Sequence, residues 1–245
     1  MSLTKVKVFD VAVKQYLYKM KAYMWFIFSL IPLHVLALLL SLNGVATSGS
    51  GNNYVSIKMK LYSNEIFIIF TLLWILFGGV TLTTKAYRTS DFTFVSNRLS
   101  SNLSNIMYLF TLSVIGSITC FLSGYLLRSI AYFINTDELI INEAITYTAS
   151  ELFWGISVTA LYLCLLGAIG YAFGMLVQFF KPFAFLLPAL LFWSLLFTGG
   201  NNAVIKFVEF LVLETSFFIF TIKITTLLLA LFSFSFLISN RLEVR

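Results

Sequence analysis

Six long apolar runs occupy most of this 245-residue chain, near residues 22–42, 65–84, 105–127, 152–179, 183–198 and 215–239. A bilayer hydrocarbon core about 30 Å thick needs roughly 20 apolar residues per helix, and backbone inside it must satisfy its own hydrogen bonds. The runs therefore predict an all-α membrane protein with six transmembrane helices. The connections leave no room for a folded soluble unit, so residues 1–245 read as a single domain. Only 11% of residues are charged, against about 25% in a soluble domain.

Cys120 and Cys164 each fall inside an expected span, where they read as small apolar residues rather than as a disulfide. Lys5, Lys7, Lys14, Lys19 and Lys21 precede the first run as the lysines of a signal peptide would. The run 22–42, however, exceeds the roughly 7–15 residues of a cleavable apolar region, which predicts a retained first helix.

Basic residues in short loops stay on the cytoplasmic side. With the N-terminus inside, cytoplasmic segments hold Lys5, Lys7, Lys14, Lys19, Lys21, Lys85, Arg88, Arg98, Lys181, Arg241 and Arg245, against Lys58, Lys60, Arg128, Lys206 and Lys223 outside. That split of 11 to 5 predicts a multi-pass protein with both termini cytoplasmic. The net charge of +6 needs no nucleic-acid partner, because topology alone accounts for where the excess lies.

Residues 1–21 predict an amphipathic interfacial helix. Phe9, Val13, Tyr16, Leu17, Met20 and Met24 recur at spacings of three and four, with Lys7, Asp10, Lys14 and Lys21 on the other side. Such a helix lies in the headgroup plane with its lysines toward anionic lipid, either as an anchor alone or as a face that also meets a cytoplasmic partner.

The Gly/Ser/Asn-rich stretch 43–53 predicts a flexible outer connection. Between the fifth and sixth runs, Gly199-Gly200-Asn201-Asn202 leads into an apolar segment, Ala203 to Leu213. Eleven residues of helix reach only about 16 Å, so a short re-entrant or surface-lying outer helix is expected. Pro188 should kink the short fifth span and, with that helix, frame a gate or a cavity; an ordinary kink without function is the plainer reading.

Several chemistries lack their residues. A single histidine and no His-Glu-x-x-His exclude a histidine metal cluster, and no glycine precedes Lys-Ser or Lys-Thr as a phosphate-binding loop requires. Polar residues within spans are costly and so are singled out. His34, two residues after Pro32, either bonds a carbonyl freed by that proline or contacts a proton or substrate. Glu65 and Arg128 lie where they reach the interface. Lys223 lies about 12 Å down the sixth span and must pair or face water; Glu214, Glu209 or an anionic part of a substrate are the candidates. His34, Pro188 and Lys223 are thus the candidate path or gate residues. Gly167, Gly170 and Gly174 read as close helix packing.

Between the second and third spans, Lys85 to Asn105 sets Tyr87, Phe92 and Phe94 beside Arg88, Asp91 and Arg98. Large aromatics in a short polar loop read as a contact surface or as residents of the headgroup layer, and Asp91 or Ser90 is placed to cap a short helix.

Taken together, the amphipathic N-terminal helix, the loop after the second span and the short outer segment before the sixth resemble the six-span permease subunits of ABC-2-type transporters, a bacterial ABC exporter family. Phe94-Val95-Ser96-Asn97-Arg98 looks like a proline-less version of that family's first cytoplasmic loop. The resemblance implies that Tyr87, Arg88, Asp91, Phe92, Phe94 and Arg98 contact a separate ATPase subunit dimer, with Asp10 and Lys14 as secondary contacts. It implies ATP and Mg bound by that partner, no cofactor or catalytic residue in this chain, and a second permease copy or paralogue in the bacterial cell membrane. Export of a hydrophobic or amphipathic substrate such as a peptide is expected. An immunity permease clearing antimicrobial peptides or drugs is the first rival, and a channel or intramembrane enzyme the second.

Overall fold

Pro32 sets the course of the first membrane segment. Having no N–H, it leaves the Phe28 carbonyl without a helical partner, and the helix breaks one residue later, at Ser29. α1 (Val8–Ala22) ends at Tyr23, α2 (Met24–Phe28) follows, and α3 (Leu30–Ser41) continues beyond the break. The Ser29 hydroxyl donates to the Phe26 carbonyl at 2.6 Å and accepts from Trp74 Nε1 at 2.9 Å, so the bend is fastened to the next span. The computed structural model describes residues 7–42, 46–52, 55–87, 97–134, 139–141, 148–197, 203–214 and 216–241.

The remaining helices are α4 (Glu65–Thr83), α5 (Arg98–Ile134), α6 (Ala149–Phe179), α7 (Phe183–Phe197), α8 (Ala203–Val212) and α9 (Phe217–Arg241). Among the described residues, five segments are long and apolar enough to cross a bilayer: Met24–Ser41, Glu65–Thr83, Arg98–Ile134, Ala149–Phe179 and Phe217–Ser239. The chain is a multi-pass membrane protein of mainly helical structure. The expected fifth span, 183–198, is not among these five, because α7 has 15 residues, a rise of about 22 Å against a core of about 30 Å. α7 is helical through Pro188.

Helices α4, α5 and α6 form the centre. Gly79 faces Gly167 and Gly170, and Thr83 faces Gly174, so α4 and α6 run side by side in one direction with their backbones touching. α5 runs against both: Thr71 and Leu163 lie at Gly116, Asn64 lies at Gly124, and Phe121 lies at Gly155. Trp74, Ile75, Leu109, Leu112, Leu163 and Tyr171 fill the space between the three. α9 lies along α6 in the same direction, with Trp154 against Phe217, Tyr162 against Phe220 and Tyr171 against Phe232. The bundle thus has one end, called here the near end, carrying Lys19, Arg98 and Ser239, and a far end carrying Ser41, Glu65, Ala149 and Phe217.

At the far end the stretch expected to be a flexible connection is instead a strand. β1 (Ala46–Asn52) pairs antiparallel with β2 (Val55–Leu61), with Ala46 opposite Leu61 and Asn52 opposite Val55. β3 (Leu139–Ile141) adds in parallel to β2. Small polar residues gain a ladder of backbone bonds here, and the period-two alternation of Val55, Ile57, Met59 and Leu61 in the partner strand is the signal that composition alone obscures.

α1 meets the bundle partly through residues that the expected pattern placed on neither side. Lys7, Asp10 and Lys14 are exposed as the pattern predicts, but so are Phe9 and Leu17, and the buried stripe is Ala12, Gln15 and Lys19. The helix faces the bundle with Gln15 and Lys19 among Ala12, Tyr16 and Met20, the last two packed against the central cluster. The reason lies in its neighbour: the start of α5 buries Ser100, Ser101, Asn102, Ser104 and Asn105, and a buried polar surface is best covered by another polar surface.

Candidate functional site at the near end and polar groups within the bundle

At the near end, the buried ammonium of Lys19 donates to Ser104 Oγ at 2.8 Å and to Asn105 Oδ1. Asn105 Nδ2 donates to Tyr171 Oη at 3.1 Å, and the Tyr171 hydroxyl donates to Asn102 Oδ1 at 2.7 Å. One polar chain therefore joins α1, α5 and α6. Tyr16 and Thr111 add a second link between α1 and α5, with their hydroxyls 2.9 Å apart.

The loop residues expected to form a contact surface divide between described and undescribed positions. Tyr87 packs on Tyr23 with ring centroids 4.3 Å apart, and Tyr23 in turn meets the edge of Tyr108 at 6.1 Å. Arg98 opens α5 and donates through Nη1 to the Ser239 carbonyl at 2.9 Å, bringing the ends of α5 and α9 together. Asp10 and Lys14 are exposed on α1. Arg88, Asp91, Phe92 and Phe94 lie outside the described residues. The structure thus gathers Tyr87, Arg98 and α1 at one end of the bundle.

The residues that fasten this end, Lys19, Asn102, Ser104, Asn105 and Tyr171, are absent from the sequence-based candidates. A signal existed: Ser100, Ser101, Asn102, Ser104 and Asn105 form a polar run at helical spacing against the third apolar run. Starting the third span at 105 assigns that run to a loop, whereas α5 begins at Arg98.

His34 bridges three helices rather than bonding a backbone carbonyl freed by Pro32. Thr71 Oγ1 gives its single proton to the Phe67 carbonyl at 2.6 Å, so toward His34 Nε2, 3.0 Å away, it accepts. Nε2 therefore carries a proton, and Nδ1 lies 3.0 Å from the Ser123 hydroxyl. The ring is fixed from both sides, holding α3 to α4 and α5. Interhelical bonds in membranes average about 0.6 kcal/mol and reach about 1.7. A double-mutant cycle of His34→Ala and Thr71→Val should return a coupling energy in that range by detergent unfolding; zero coupling would leave His34 outside the packing of the bundle.

Lys223 finds its partner inside the chain. Its ammonium pairs with the Glu214 carboxylate, lies 3.4 Å from the Phe210 carbonyl and sits 3.8 Å over the Phe210 ring. Glu214 was one of the expected partners. The arrangement pins the end of α8 against α9, and Tyr162 Oη donates to the Leu211 carbonyl at 3.0 Å from the other side. Pro188 sits in α7, whose Phe185, Leu186 and Leu190 are exposed.

Among the described residues, no three His, Cys, Asp or Glu side chains converge as metal ligands would. Cys120 and Cys164 are both buried and free. The arrangement offers mechanical linkage at the near end and hydrogen-bonded anchoring within the bundle. No family model, curated protein or solved structure matches this chain.

Proposed function

We propose that this chain is the transmembrane subunit of an ATP-driven exporter of the ABC-2 type, whose partner ATPase binds at the near end and moves an amphipathic substrate such as a peptide. One observation carries the reading. The N-terminal helix is bonded through buried Lys19 to the start of α5 and onward to Tyr171 of α6, so force applied outside the membrane at α1 or α5 reaches two central helices directly. A two-state membrane domain of this kind is driven when its partner's nucleotide state favours one arrangement over the other.

The six-span topology of that family is supported by the direction of the helices. α6 and α9 run side by side the same way, so the chain between Phe179 and Phe217 has to return from the near end to the far end. α7 would supply about 22 Å of that return. Both termini then lie on one side, in agreement with the 11 to 5 division of basic residues. Two copies, or this chain and a paralogue, would form the route, in a bacterial cell membrane.

The test is affinity purification of the tagged chain from its native membrane in mild detergent, with mass spectrometry and an ATPase assay of what accompanies it. A stoichiometric ATPase is expected, with stimulated hydrolysis at least about tenfold lower for Phe92→Ala or Arg88→Glu, as for loss of an interface hot spot. Recovery without any ATPase, or unchanged partner binding and hydrolysis in both variants, would overturn the assignment.

A further inference from the structure

We propose that the groove between α5, α6 and α9 at the near end is a binding site for an amphiphile with a phosphate headgroup, its alkyl chain against the apolar walls and a phosphate oxygen on the Asn102 amide. The groove, a cavity of about 380 Å³, is walled by Leu99, Leu103 and Ile106 of α5 and by Phe232, Phe236 and Leu237 of α9. Asn102 and Tyr171 line it as well. This inference stands apart from the transport reading and needs no ATPase.

The headgroup preference follows from the direction of the hydrogen bonds. An ammonium only donates, so Lys19 fixes Oδ1 of Asn105 toward itself. Asn105 Nδ2 must then donate to Tyr171 Oη, and the tyrosine hydroxyl passes its proton onward to Asn102 Oδ1. The chain ends on Asn102 Nδ2. That nitrogen is buried and has no acceptor among the described residues, although Asn102 is only 7% exposed. A buried amide left unpartnered is costly and rare. Every link points the same way from a buried cation, so each bond polarises the next and the last N–H is a stronger donor than an ordinary amide. Arg98 lies one turn earlier on the same face of α5, with Nη1 on the Ser239 carbonyl, and adds positive charge beside the groove. A donor fed by one cation and flanked by another calls for an anionic oxygen, and the walls call for an alkyl chain.

The experiment uses the full chain in maltoside micelles, which contain no phosphate, titrated with radiolabelled dodecyl phosphate and separated by gel filtration. Saturable binding of one molecule per chain is expected, weakened about tenfold or more in Asn102→Leu, the loss anticipated for a hydrogen bond to a charged group. Leu103→Trp fills the groove while keeping the polar chain intact, and should weaken binding as much, so a folding defect of the first variant cannot decide the matter. Inorganic phosphate in hundredfold excess should not compete. Undiminished binding in both variants, competition by inorganic phosphate alone, or equal retention of dodecyltrimethylammonium would each overturn the proposal.

Discussion

Replacing Gly170 with leucine should abolish recovery of folded protein. A Cβ placed on Gly170 would lie 2.2 Å from the Leu76 carbonyl oxygen, and one on Gly79 would lie 2.2 Å from the Gly167 carbonyl and 2.7 Å from the Tyr171 nitrogen. Both obstacles are backbone, so no side chain can rotate away and the two helix axes must part. Overpacking a filled interior costs about 1–3 kcal/mol and sometimes more, out of a total stability of roughly 5–15 kcal/mol. Separating this seam also disturbs Ile75, Leu109 and Leu163, which pack around it. The loss should therefore be about 3 kcal/mol or greater, read as the monodisperse fraction in detergent and as the unfolding temperature. Gly155→Ala is the control. Its Cβ would meet Cζ of Phe121 at 2.7 Å, the far end of a ring that can swing outward, and the cost should stay near or below about 1 kcal/mol. Equal losses in the two variants would mean that the α4–α6 seam is not the closest contact in the bundle.

Reversing the charge of Lys19 should release the N-terminal helix while the bundle stays folded. The side chain is 1% exposed and its ammonium rests on Ser104 and Asn105. A carboxylate in its place faces the Asn105 carbonyl oxygen, and flipping that amide to offer a donor would deprive Tyr171 of its partner. Uncompensated buried charge costs about 3–5 kcal/mol. The penalty falls on an element held mainly by α5, so α1 should detach first. Spin labels on α1 and on the start of α5 should change from one short distance to a broad distribution in Lys19→Glu. Lys19→Met keeps the stem's packing without the charge and should leave α1 docked. An unchanged distance in the glutamate variant would show that Tyr16 and the neighbouring apolar contacts suffice to hold α1. Where the chain works with an ATPase, the same variant should also lose stimulated hydrolysis.

Much of this architecture can be read from the amino acids because the bilayer imposes a length. Runs of about 20 apolar residues announced the segments around 22–42, 65–84, 152–179 and 215–239, and helices occupy each of them. Lys223 was legible for a related reason: a cation within a span must be paired, and Glu214 lay within reach in sequence. What stayed hidden depends on partners far away in the chain. Lys19 looks like the wet side of a surface helix until Ser104 and Asn105, more than eighty positions later, are seen to be its partners on the facing helix. His34 likewise looks tied to its neighbouring proline, whereas its partners Thr71 and Ser123 come from two other helices. β1 was obscured because glycine, serine and asparagine favour turns locally, and only pairing with Val55–Leu61 decides otherwise.

The buried ammonium of Lys19 also fixes an order of assembly. Lys19 leaves the ribosome long before Ser104 and Asn105, from which it is separated by 85 and 86 positions. Until α5 is in place, the Lys19 ammonium lacks Ser104 and Asn105, and water is its better solvent. α1 must therefore wait at the surface until α5 arrives. A nascent chain ending before residue 98 would hold α2–α4 in the membrane with α1 still accessible from outside, and the arrival of α5 is the event that draws it in.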